Sequence, residues 1–161
     1  MLPIGYDTLH DYGPAFAGML ADIGFTDKFT LACGAAGVKF GTVVGEVAAT
    51  GKTVLPVGAN PAGVAIHDHT LAGRRAAQDG YVEKDAVSVL RRGRIWGLAS
   101  GASTKEAVAK YDPATGIFAD SGTATLANAK FKSGAISIPG LLPGEPAMLI
   151  VLVELHDPTV A

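Results

Sequence analysis

From Val38 onward apolar and polar or small positions alternate with a period of two. Val38, Phe40, Thr42 and Val44 fall on one face of an extended segment, with Lys39, Gly41 and Val43 on the other. Comparable short runs recur at 53-TVLPV-57, 63-GVAIH-67, 86-AVSVL-90, 94-RIWGL-98, 117-IFA-119, 124-ATLA-127, 135-AISI-138 and 147-AMLIVLVEL-155. Each is bounded by Gly, Pro, Asn or Asp. Nine or ten short strands with this punctuation predict a mainly β chain, folded as a small antiparallel β-barrel or sandwich of jelly-roll or β-tulip-like type.

Two runs are read more closely. The closing run is apolar at nearly every position, which predicts a strand covered on both faces, and Ile150, Val151 and Val153 favour a strand over a buried helix. In 112-DPATG-116 the proline presets φ and the glycine tolerates a positive φ, so the segment is a turn. The preceding 106-EAVAKY-111 is then one arm of a hairpin despite its helix-friendly composition.

Residues 1–35 break the alternation. They carry Asp7, Asp11, Asp22 and Asp27 against Lys28 alone, with Phe16, Met19, Leu20 and Ile23 at helical spacing after 11-DYGP-14. This front segment is expected to be an N-terminal arm or a short helix, and 36–161 the β-barrel domain. An arm reaching another subunit and a terminal strand packed on the barrel stand side by side as readings.

Composition sharpens this picture. Twenty-one glycines and nine prolines spread along 161 residues interrupt long helices but not short strands. Apolar residues make up 48% and charged residues 17%, so some apolar surface is expected to be covered by other subunits. A net charge of −2 argues against a nucleic-acid partner. The N-terminus has no basic segment leading into an apolar core, and the longest apolar run is half the length of a membrane-spanning helix, so neither a signal peptide nor a membrane partner is expected.

Four motifs invite chemistry. The stretch 45-GEVAATGKTV-54 ends in Gly-Lys-Thr like a phosphate-binding loop, but five residues separate Gly45 from Gly51, Glu46 stands where the first glycine belongs, and Pro56 prevents the helix that must follow. A hairpin turn at 48-AATGK-52 is the better reading. In 67-HDH-69 the two histidines of a strand share a face, yet no spacing singles out a third zinc ligand among His10, His156 and the carboxylates. Cys33, the single cysteine, sits in 31-LACGAAG-37 without a basic neighbour, as an inert packed thiol does. The 91-RRGRIW-96 arginines fit one strand with a bulge at Gly93, presenting Arg91 or Arg94 to an acidic protein surface. No catalytic residue, cofactor or metal site is assigned.

The blocks 12-YGPAFAGMLAD-22, 38-VKFGTVV-44, 63-GVAIHDHT-70, 81-YVEKDAVSVLRRGRIW-96 and 149-LIVLVEL-155 resemble, in order along nearly the whole chain, the structural cement or head decoration proteins of tailed bacteriophages. The resemblance implies a small, mostly β, non-enzymatic protein made in the bacterial host cytoplasm. It implies binding to the outer face of the virion capsid, with the major capsid protein and further copies of itself, as a homodimer or homotrimer, for partners. Candidate capsid or subunit contacts are Tyr12, Phe16, Met19, Arg91, Arg94 and Trp96. The alternative, a carbohydrate-recognising β-barrel module of a tail or fibre, calls for exposed aromatics in a cluster, and Trp96 is the single tryptophan.

Overall fold

The computed structural model describes residues 15–22, 24–47, 52–54, 60–68, 79–139 and 146–157. Its elements are strands: β1 (Asp27–Cys33), β2 (Val38–Lys39), β3 (Val43–Val47), β4 (Lys52–Val54), β5 (Pro61–Ala65), β6 (Gly80–Tyr81), β7 (Ala86–Ala99), β8 (Val108–Tyr111), β9 (Ala124–Phe131), β10 (Ile136–Ile138) and β11 (Met148–His156). The described residues contain no helix, so the mainly β sandwich expectation holds.

β7 organises the rest. The principal sheet runs β1-β4-β3-β5-β7-β11-β9-β8, with β10 on β11, while β2 and β6 form a two-stranded sheet. All these pairings are antiparallel except β1 with β4. β1 also pairs with β7, which bends the sheet back on itself on one side. On the other side Phe118 bridges Ala99 and Tyr111. These last links are isolated bridges rather than a ladder, so the β9–β8 end of the sheet does not close into a barrel.

Buried apolar residues of the described chain gather in three clusters, the third of them beneath the outer face described below. Cys33, Val38, Phe40, Val44, Ala65, Tyr81, Val87 and Val89 fill the first. Leu90, Ile95, Tyr111, Phe118, Leu126, Phe131, Val151, Val153 and Leu155 are among those filling the second. Alternation places Ile95 and Ala99 inward on β7 together with Gly97, whose missing side chain leaves the space that the Phe118 ring occupies.

Several elements differ from the sequence expectation for local reasons. The runs 86–90 and 94–98 are one continuous strand; the extra residue of its bulge is Arg91, skipped between Arg92 and Leu90 opposite Asp27 and Lys28, and Gly93 takes φ 128 two residues on. The run 38–44 is broken, because Gly41 adopts φ 75 and the Thr42 hydroxyl donates to the Lys39 carbonyl at 2.8 Å. The run 117–119 contributes isolated bridges. The helical spacing at Phe16, Met19 and Leu20 makes no helix: Gly18 has φ 82, and the backbone there is taken up by β7, through Gly18 N to Trp96 O, Trp96 N to Met19 O and Ala21 N to Arg94 O. Ile23 lies outside the described residues.

The turn at 112–116 forms as expected. Gly116 has φ 73, its N–H donates to the Asp112 carbonyl at 2.7 Å, and an Asp112 carboxylate oxygen accepts from Ala114 N.

Candidate interaction surface

The second face of β7 and β11 is built from alternate residues. Cross-strand register sets Leu98 opposite Ile150, Trp96 opposite Leu152, Arg94 opposite Glu154 and Arg92 opposite His156. The face is therefore apolar at one end and charged at the other. At the apolar end, Ala15, Ala17, Ile138 and Ile150 are buried beneath half-buried Phe16, Met19, Trp96, Leu98, Ile136 and Met148. Three of the sequence candidates, Phe16, Met19 and Trp96, thus meet on one patch. The 15–20 segment carries two of them there because its backbone pairs with the outer edge of β7.

Arg94 belongs to the charged end. Its Nε donates to Glu154 Oε2 at 2.6 Å and lies 4.0 Å from Asp22, while His156 Nε2 lies 2.9 Å from Glu154 Oε1. The hydrogen bonds from His156 and then Arg94 hold the Glu154 carboxyl below the usual carboxylate range, and the bond and charge of Glu154 push the Arg94 guanidinium up. Its charge is thus matched within the chain, where sequence reasoning aimed it at a partner. A depressed folded-state pKa means stability that is present above the unfolded value of about 4.3 and lost as pH falls through the folded value. The difference in melting temperature between wild type and Glu154→Gln is expected to shrink as pH is lowered from about 6 to 3. A difference constant over that range would show that the carboxylate's partners contribute nothing through its charge.

Arg91 sits apart from the patch. Its guanidinium lies 4.5 Å from the Phe29 ring centroid and 3.9 Å from Asp157, which packs it across β1. Tyr12 lies outside the described residues.

The motifs set aside on the sequence have structural roles. β3 and β4 pair antiparallel, with Glu46 opposite Thr53 and Val47 opposite Lys52, so Lys52 and Thr53 belong to a strand rather than to the start of a helix. The connecting turn at 48–51 is outside the described residues. His67 packs its ring 4.7 Å from Phe16 and 4.4 Å from Phe40, and its backbone N–H donates to Gly18 O, which ties the front segment to the chain just after β5. His69 and His10 lie outside the described residues, among which no three His, Cys, Asp or Glu side chains converge as a metal site. Cys33 is buried, and burial first, then Asp85 and Glu83, raises its thiol pKa. A cleft of about 510 Å³ is bounded by Lys28, His67, Asp68, Tyr81 and Ser88, among others. Burial pushes the Tyr81 phenol up to about 12, and it donates to Ile66 O at 2.6 Å, so it remains a neutral donor.

Sequence reasoning missed Leu98, Ile136 and Met148 on the patch, and also Phe25, the most exposed large apolar residue described, at 78%. Extending the two-residue period of 94-RIWGL-98 would have found Leu98. Nothing in the uniformly apolar 147–155 run marks which of its residues face outward.

Comparison with known proteins bears on this surface. The family model described as structural cement protein, for phage cement proteins, matches residues 6–155. No curated protein matches the chain. A chain of the solved capsid of Myoviridae phage XM1 is similar in fold, with a TM-score of 0.66 at 18% identity, over 88% of this chain and 90% of that one.

Proposed function

Since the chain belongs to the structural cement protein family of phages, and is therefore a capsid-associated structural protein of the virion, we propose that it binds the outer surface of the mature head as a homo-oligomer and stabilises the shell. The observation that carries the contact is the half-buried apolar patch of Phe16, Met19, Trp96, Leu98, Ile136 and Met148. Six large apolar side chains gathered on one face, with the charged residues beside them already paired to one another, fit a surface that is finished by a neighbouring protein. Such a contact buries on the order of 800 Å² per partner. The major capsid protein is the partner this face meets, and the role is structural rather than catalytic.

The mechanism is linkage. A protein that binds the expanded shell and not its precursor stabilises the shell by RT ln(1 + [L]/Kd), about 2.7 kcal/mol per site at a hundredfold excess over Kd. A shell repeats the site many times, so modest energies add up to resistance against bursting. Purified protein mixed with undecorated mature heads is expected to appear by electron microscopy as regular density outside the shell, and decorated heads are expected to survive higher temperature than bare ones. Heads that stay bare at micromolar protein would overturn the proposal.

A further inference from the structure

Two exposed apolar residues stand at opposite ends of β1. Phe25 precedes the strand in a turn where Gly24 N donates to Asp22 Oδ1 at 3.2 Å, and the Arg92 guanidinium lies 5.8 Å from its ring centroid. Val82, 43% exposed, begins the 82-VEKD-85 turn at the other end. That turn is closed by hydrogen bonds: Val82 N donates to Asp85 Oδ2 at 2.8 Å, Asp85 N to Val82 O, and Lys84, at φ 74, donates its N–H to Cys33 O. About 20 Å separates the two ends, from seven residues at roughly 3.3 Å each.

Their charges match twice. Beside Phe25, Arg92 and Asp27 are register partners across β7 and β1, are both exposed, and form no ion pair with another described residue. Beside Val82, exposed Glu83 and Lys84 are likewise without an ion pair among the described residues. The first end offers a cation and an anion next to an exposed phenylalanine; the second offers an anion and a cation next to an exposed valine. Laid antiparallel, the outer faces of two β1 strands bring each end onto the opposite end of the partner, so a single two-fold axis makes both contacts and closes the assembly.

We propose that the Phe25–Arg92 corner of one copy docks on the 82-VEKD-85 turn of a second, in a two-fold homodimer. Arg92 meets the partner copy's glutamate at position 83, Asp27 meets its lysine at position 84, and Phe25 covers its valine at position 82. The contact deepens the homo-oligomer reading above and rests on it. Arg92 stands at the charged end of the face that carries Trp96, and neither Arg92 nor Phe25 belongs to the apolar patch, so a dimer held this way leaves the patch residues themselves for the shell.

Charge reversal with rescue tests it on the full chain, with circular dichroism as the folding control. Sedimentation is expected to give a dimer mass for wild type. Arg92→Glu and Glu83→Arg are each expected to weaken dimerisation at least about tenfold, and the combined R92E/E83R chain to recover most of the loss. If wild type dimerises and neither single change weakens it, this docking falls while self-association stands. If both weaken it without recovery in the combined chain, the two ends do not meet one another and the docking falls. A wild-type monomer at every concentration, in solution and on heads, overturns self-association itself and this contact with it.

Discussion

Gly97→Val is expected to leave the chain unable to reach its native packing, with a melting temperature about 6–12 °C below wild type or no soluble folded product. A Cβ on residue 97 would sit 2.5 Å from Phe118 Cδ2 and 2.6 Å from Cε2, with the Gly41 carbonyl oxygen at 3.4 Å. Phe118 cannot withdraw easily. Its N–H donates to Leu98 O at 2.9 Å, its carbonyl accepts from Ser100 N at 3.0 Å, and its ring stacks edge-on against Phe131 at 6.0 Å. Overpacking a core typically costs about 1–3 kcal/mol, and valine adds two further methyl groups to a contact already too close for one carbon. Against a total stability of about 5–15 kcal/mol that loss is a large share. Gly97→Ala is expected to fall between the two, and adding Phe118→Leu to it to restore part of the loss, since the pair shares one volume. Thermal unfolding by circular dichroism reads all four chains, and a Gly97→Val protein melting with wild type would show that the ring does not occupy this slot.

The same glycine shows how far the sequence could be read. Alternation with turn punctuation is a local signal, because pleat and turn chemistry act between neighbours in the chain, and it located most strands but missed β1 (Asp27–Cys33), read as part of a front arm or short helix, and the two-residue β6. Gly97 reads locally as a weak point in a strand. In the fold it is what lets β7 run on to Ala99 beneath an aromatic ring twenty-one residues away in sequence, and no local rule contains that ring. Phe16, Met19 and Leu20 misled in the opposite sense. Their spacing suits a helix, yet hydrogen bonds to β7 satisfy the backbone there, and tertiary pairing overrode the weak helical pattern. On the interaction face, the apolar residues of the front segment and Trp96 were legible as candidates; that they share one patch depends on the pairing of residues 18–21 with β7, and the neutralisation of Arg94 by Glu154 depends on the β7–β11 register. Charges counted along a sequence say which ions are available, and only the register says which are already matched.

Trp96→Glu carries the largest expected effect on function. The residue is half-buried on the outer face, two positions from Arg94 on the same side of β7, so a carboxylate at 96 gains a nearby cation in the free protein and the fold is retained. In the complex that carboxylate would have to be desolvated among Phe16, Met19, Leu98 and Met148, and losing the indole removes the aromatic anchor as well. Truncating an anchor of this kind costs about 2–4 kcal/mol, and every 1.4 kcal/mol is tenfold, so binding to bare heads is expected to weaken at least about thirtyfold while the melting temperature falls by only a few degrees. Val108→Glu supplies the comparison. Val108 is 47% exposed on β8, outside the patch, and the same new charge there is expected to leave head binding within about threefold of wild type. Sedimentation of heads with each labelled variant measures both. A folded Trp96→Glu protein that decorates heads at wild-type concentration would mean that the shell is met by another surface, and equal losses at both positions would mean that added negative charge, rather than the patch, governs the encounter.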